Sequence, residues 1–172
     1  MKKFAVIGES LSHSFSPILH TIIYQKLELN ADYSKVEIAR KDLSSFITNN
    51  QFNGLNITIP YKEKVISALD RVDKPSKIIG AVNCLHGLEG FNTDWRGFLK
   101  AMQINNVNME GKNCLIIGAG GVAKAIAFAL FKANVNSIKF KNRTQERLKV
   151  ITSWINRLFI NNKDHVIPDI II

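Results

Sequence analysis

Asn113-Cys114-Leu115-Ile116-Ile117-Gly118-Ala119-Gly120-Gly121-Val122-Ala123-Lys124-Ala125-Ile126-Ala127-Phe128 is the stretch on which the fold turns. Residues 113–117 form a short apolar run that reads as a buried strand, and 122–133 carry a helical spacing of apolar residues. Between them the residues fit the pattern G-x-G-x-x-A. Gly118 permits a tight turn, Gly120 lets backbone approach a pyrophosphate, and Ala123 lets helix and strand pack closely. Gly121 and Val122 open the helix, whose free N–H groups favour an anion. A glycine triplet alone also fits an ordinary strand-helix turn, and the correct flanks on both sides favour a dinucleotide site.

Working outward toward the C-terminus, Ser137 to Lys141 reads as a second strand, closed by Asn142, Arg143 and Thr144. An NAD-binding unit places a carboxylate near this point to hold the ribose 2′-hydroxyl. Here a guanidinium stands instead, able to clamp a 2′-phosphate through two hydrogen bonds. The residues therefore favour NADP over NAD. Thr144 can cap the following helix, 146–159, and Arg147 lies one helical turn from Arg143. A strand begins at Asp169, and the sequence ends on Ile170-Ile171-Ile172. Such an ending reads as a chain cut in mid-element, with an incomplete second domain and an unfinished sheet edge.

Toward the N-terminus, Phe4 to Ile7, Tyr33 to Ile38, Leu55 to Ile59 and Ala81 to Leu85 read as strands. Helices are expected from Ser16, as N-cap before Pro17, and from Asp42 to Asn49, Glu63 to Leu69 and Asp94 to Met102. Ile18, Ile22, Ile23 and Leu27 give the first helix an apolar face. The alternation argues for parallel α/β structure. The polar, turn-rich segment 105–112 marks a boundary, giving an α/β domain at 1–104 and a Rossmann-type domain at 105–172.

The chain has 172 residues, a formal net charge of +9 and 46% hydrophobic residues, which excludes a disordered or collagen-like chain. No apolar run has the ~20 residues of a membrane-spanning helix or the form of a signal peptide, so a cytoplasmic protein without a membrane partner is expected. Cys84 and Cys114 lie apart and read as reduced, buried thiols. His13, His20, His86 and His165 show no metal-ligand spacing, and no metal is expected. Residues 101–172 carry 10 Lys+Arg against 4 Asp+Glu, a surplus that a phosphate-rich small ligand explains as well as DNA does. The basic residues are dispersed, so a nucleic-acid partner is not expected.

Three polar clusters stand at the ends of apolar runs: Ser12-His13-Ser14-Phe15-Ser16, Asn56-Ile57-Thr58-Ile59-Pro60-Tyr61-Lys62, and Asn83 with Asn92-Thr93-Asp94. Hydroxyls and amides of this kind suit a polyhydroxylated substrate. Ser16 can equally cap its helix, Asn92-Thr93-Asp94 can be a turn, and a lysine such as Lys62 is commonly plain surface charge. If Lys62 and Asp94 face one cleft, they can share the proton of a substrate hydroxyl while hydride leaves the adjacent carbon.

With these residues in hand, the sequence resembles the shikimate dehydrogenases. The matching segments are Ala5 to Gly8 with Ser12 to Pro17, Gly54 to Glu63, Gly80 to Asn83, Gly90 to Asp94, Gly118 to Gly121 and Asn142 to Thr144. They occur in the family's order along nearly the whole chain. The resemblance implies NADP-dependent, reversible reduction of 3-dehydroshikimate to shikimate, with the active cleft between the domains. Ser14, Ser16, Thr58, Lys62, Asn83 and Asp94 would hold the substrate, Lys62 would accept the proton with Asp94 as its partner, and Asn56 would support the pocket. Gly118, Ala119, Gly120, Gly121, Val122, Asn142, Arg143, Thr144 and Arg147 would hold NADP.

The sequence departs from the family in a short connection at 86–90, in Trp95 after Asp94, and in Lys74 where an acidic residue is common. The family continues beyond Ile172, so the 172 residues alone are expected to be impaired. Use of NAD or quinate, and a catalytically silent binder of shikimate and nucleotide, remain alternatives. A homodimer is compatible with the sequence.

Overall fold

The computed structural model describes residues 1–158 and 167–172, and the chain forms two compact units, Met1–Asn92 and Thr93–Ile172. The packing thus divides the chain N-terminal to the helix that the sequence reading assigns to the first domain. Phe159, the expected end of the last helix, and His165 lie outside the described residues.

In the first unit, six strands make one sheet: β1 (Lys2–Gly8), β2 (Ala31–Glu37), β3 (Gly54–Ile57), β4 (Arg71–Val72), β5 (Cys84–His86) and β6 (Glu89–Phe91), in the order β2-β1-β3-β5-β6-β4. β2, β1 and β3 are parallel, whereas β5 runs antiparallel to both β3 and β6. The expected parallel α/β arrangement thus holds for β2, β1 and β3, and β5 adds an antiparallel strand to it. The physical reason is the turn after His86, where Gly87 takes a φ of +57° and returns the chain at once as a hairpin. Ala81 to Asn83, expected as strand, instead spend their backbone groups on three different segments: Val82 N–H on Lys62, Asn83 N–H on Phe91, and the Asn83 carbonyl on Ile57.

Helix α1 (Ser16–Lys26) starts at Ser16 itself, with Phe15 at the capping position and no side-chain cap. The expected Ser16 cap is replaced by Ser14, whose hydroxyl accepts from the Ser16 N–H at 3.4 Å. None of the α1 residues is buried, and Ile18, Ile22 and Leu27 are largely exposed. His20 and Tyr24, one turn apart, meet the sheet instead, because Tyr33 and Phe4 offer them aromatic rings. Helix α2 (Leu43–Asn49) follows a 3₁₀ turn, and the expected helix at 63–69 is a 3₁₀ helix, Lys64–Ala68. Helix α3 (Lys74–Ile79) went unread; Asp73 caps it by accepting from the Ser76 N–H at 2.9 Å, with Pro75 in the first turn. The core gathers Ala5, Ile7, Leu55, Ile57, Tyr61, Val65 and Val82.

In the second unit, β7 (Asn113–Ile117), β8 (Ser137–Lys141) and β9 (Ile170–Ile171) are parallel in the order β8-β7-β9. This is the Rossmann-like half of the mixed α/β chain. Helix α4 (Asp94–Ile104) lies against α5 (Ala123–Lys132), with the Trp95 ring edge-on to Phe128 at 5.3 Å. Helix α6 (Gln145–Leu158) buries Ile151 and Ile155 in the core built around Cys114, Ile116, Ala127, Leu130 and Ile138. Ala125, Ala127 and Ala129 are fully buried on α5, and their small side chains let it approach close neighbours.

Candidate active site

In the first unit, the polar groups stand beyond the C-terminal ends of β1, β2 and β3, where parallel strands deliver ligand groups. Gly8, the last residue of β1, is closely approached: a Cβ there would come within 2.8 Å of Leu11 Cδ2 and 2.9 Å of Thr58 Cγ2, so a larger residue would force those side chains to shift. The close approach brings the Ser12 to Ser16 loop beside the Thr58 segment. Two β2 side chains hold that loop: Glu37 Oε1 accepts from the Leu11 N–H at 2.7 Å, and Lys35 Nζ donates to the Ser12 carbonyl at 3.4 Å. Leu11 in turn accepts from the Ser14 N–H at 3.0 Å. Ser14, Ser16 and Thr58 are each half-buried, a state that leaves a hydroxyl both ordered and accessible.

Lys62 is half-buried on a backbone pinned from both sides. Before it, Tyr61 is fully buried and its phenol donates to the Ile38 carbonyl. Its own carbonyl accepts from the Val82 N–H at 2.7 Å. Burial, foremost, pushes the Tyr61 hydroxyl above its ordinary range, so it stays a neutral donor to the Ile38 carbonyl. Asn83 is buried, and its carbonyl accepts from the Ile57 N–H at 2.9 Å and from Asn56 Nδ2 at 3.4 Å. The sequence singled out these residues but missed Tyr33, Lys35 and Glu37. No local pattern marks them: Tyr33 is buried whereas Lys35 and Glu37 are exposed, and their contacts depend on which loops lie beside β2.

In the second unit, Asp94 opens α4, where the helix N-terminus favours a carboxylate. Gly118 takes a φ of +123°, a conformation closed to other residues without strain. A Cβ built on Gly120 or Gly121 would meet no atom within 4 Å, so both backbones face open space that an anion can enter. A cleft of about 560 Å³ is lined by Ile117, Gly118, Lys141, Asn142, Arg143, Thr144 and Arg147. It gathers the first glycine with the basic end of β8. Ala119, Gly120, Gly121 and Val122 follow Gly118 into the start of α5 but are not among the lining residues. Asn142 Nδ2 donates to the Thr144 carbonyl at 2.8 Å, closing the turn into α6, and Arg143 and Arg147 are exposed on the rim. An open glycine turn beside two guanidiniums fits a phosphorylated dinucleotide. Among the described residues no group of His, Cys, Asp and Glu could hold a metal, and no helix is long and apolar enough to cross a membrane.

Comparison with known proteins bears directly on this geometry. Residues 6–85 match the shikimate dehydrogenase substrate binding domain, and residues 100–164 match shikimate/quinate 5-dehydrogenase. The NADP(+) shikimate dehydrogenase of Nitrosopumilus maritimus is 35% identical over 167 residues, which are 93% of this chain and 61% of the relative. That of Carboxydothermus hydrogenoformans is 42% identical over 155 residues, 86% of this chain and 55% of the relative. The crystal structure of shikimate 5-dehydrogenase from Thermus thermophilus in complex with NADP(H) and shikimate superposes with a TM-score of 0.85 at 33% identity, covering 91% of this chain and 61% of that one. The chain thus spans about 60% of the length of the curated relatives it matches.

Proposed function

This chain belongs to the shikimate dehydrogenase family, and from that membership we propose that it serves the NADP-dependent, reversible reduction of 3-dehydroshikimate to shikimate. The observation that carries the reading is the cleft joining the Gly118 turn to Arg143 and Arg147 in a chain of this family. In the proposal, the open backbones at Gly120 and Gly121 receive the pyrophosphate and Arg143 clamps the 2′-phosphate. NADPH, when bound, would supply the hydride for the substrate carbonyl carbon and leave as NADP⁺. Ser14, Ser16, Thr58 and Asn83 hold the substrate's carboxylate and hydroxyls. Lys62 exchanges the proton of the reacting oxygen, with Asp94 as its partner. The first domain carries the substrate groups and the second the nucleotide groups, and the domain limits remain those of the proposal, 1–104 and 105–172. A cytoplasmic location and a homodimer complete it, the latter tested by sedimentation at two protein concentrations.

The experiment is calorimetric titration of the chain with shikimate and with NADP⁺, followed by NADPH formation from the two together. Binding of both with turnover supports the reading. Binding without turnover fits the expected impairment of these 172 residues as well as the silent-binder alternative, which binding without turnover by a full-length chain would favour, and no binding of either removes the proposal. Parallel titrations with quinate and NAD⁺ decide between substrates and cofactors.

A further inference from the structure

We propose that Tyr33 is a positioning residue for the substrate-holding groups of the first unit, acting through Asn56 on the segment that carries Asn83. The inference rests on the functional reading above, in which Asn83 touches the substrate.

Tyr33 sits on β2 and is 6% exposed, yet its phenol is not idle: it donates to Asn56 Oδ1 at 2.6 Å. Asn56 Nδ2 then donates to the Asn83 carbonyl at 3.4 Å. A side-chain amide has one oxygen and one nitrogen, and either can face a given neighbour until a partner of fixed polarity selects between them. The phenol is that partner. With the oxygen taken by Tyr33, the amide nitrogen is directed at Asn83, and the thread ties β2 through β3 to the segment entering β5. The Asn83 carbonyl also accepts from the Ile57 N–H at 2.9 Å, so the thread ends on a backbone group already aligned by β3.

The phenol is itself held. The His20 ring stacks on Tyr33 with centroids 4.0 Å apart and planes 2° from parallel, which fixes where the hydroxyl points. Burial, foremost, keeps the Tyr33 hydroxyl far above its ordinary range, so it remains a donor at neutral pH. Without Tyr33 the amide of Asn56 can turn over, and the Asn83 carbonyl loses its side-chain donor while keeping the Ile57 N–H.

A double-mutant cycle on shikimate affinity, read by calorimetry, tests this. Tyr33→Phe keeps the ring and its stack and removes one oxygen; it is expected to weaken shikimate binding about 3- to 10-fold, the range for one lost hydrogen bond. In an Asn56→Ala background the same change is expected to cost nothing more. Unchanged affinity in Tyr33→Phe, or losses that simply add, would overturn the inference. A parallel NMR measurement follows hydrogen exchange at the Asn56 side-chain amide. Faster exchange in Tyr33→Phe supports the thread and an unchanged rate overturns it. Should the unaltered chain bind no shikimate, the functional reading falls, and the exchange measurement alone then decides whether Tyr33 orients Asn56.

Discussion

The Gly118 N–H donates to the Lys141 carbonyl at 2.8 Å, tying the glycine turn after β7 to the end of β8. Two motifs 23 residues apart in sequence thereby become one surface. The turn contributes backbone donors, and the residues after Lys141 contribute fixed positive charge. Each half alone is common in proteins; the hydrogen bond sets them side by side, and the proposed nucleotide site uses both.

The glycines of that turn should respond differently to substitution. Gly118→Ala forces a side chain into a φ of +123° and should lower stability by about 1–3 kcal/mol, seen as a lower melting temperature. At Gly120 an added Cβ meets no atom within 4 Å, so Gly120→Ala should melt like the unaltered chain yet weaken NADP⁺ binding, because the methyl group enters the space the phosphates need. Equal melting losses in both variants would show that Gly120 serves the fold and not the ligand.

Arg143→Ala should weaken NADP⁺ about 10-fold or more and leave NAD⁺ nearly unchanged, since a charge-assisted contact to the 2′-phosphate is worth roughly 1.5–3 kcal/mol. Titration with both nucleotides checks this. A loss of the same size for each would place Arg143 on the shared pyrophosphate.

The second unit was legible in the sequence almost residue by residue. β7 and β8 occupy the expected limits, and α5 lies within one residue of them, because a buried parallel strand and an alanine-rich helix each carry a strong local pattern. The first unit was less legible. Leu85 and Cys84 have the apolar character of a parallel strand, but their direction is fixed by the non-local antiparallel pairing of Leu85 with Leu55 and by the hairpin closed at Gly87. The apolar residues of α1 suggested a core face, whereas the ring pairs of His20 and Tyr24 chose the contact. The site motifs could be read as chemistry at their positions, but Tyr33, Lys35 and Glu37 could not. Their roles depend on which loops the sheet order brings beside β2.

Both thiols should react slowly at pH 8. Cys114 is 1% exposed and burial pushes its thiol up to about 11; burial also raises Cys84, which remains partly accessible. The thiolate is the reactive form, so an aromatic disulfide reagent should label Cys84 first and Cys114 only when the second unit opens. Mass spectrometry of partly labelled protein gives the order, and prior labelling of Cys114 would contradict the packing around β7.

Acid should loosen the β7–β9 pair. The Asn113 backbone N–H, at 2.7 Å, and its side-chain amide, at 2.9 Å, hold the Asp169 carboxyl below its ordinary value of 3.8. A depressed folded value means this contribution is present above the unfolded value and is lost as pH falls through the folded one. Asp169→Asn should therefore be less stable than the unaltered chain at neutral pH, and the gap should close below about pH 3.8. A gap independent of pH would assign the effect to geometry and not to charge.

Lys62 supplies the sharpest test of the proposed chemistry. Its backbone is fixed by buried Tyr61 on one side and by the Val82 N–H on the other, so replacing the side chain should leave the local fold intact. A positioned proton acceptor typically contributes 10²- to 10⁴-fold, and Lys62→Ala should lower kcat for shikimate oxidation by about that factor while shikimate affinity changes far less. Lys62→Arg keeps the charge but holds its proton at every working pH, so it should bind shikimate and still turn over slowly. If Lys62→Arg restores kcat, the side chain acts as a fixed charge beside the substrate and the proton must leave by another group.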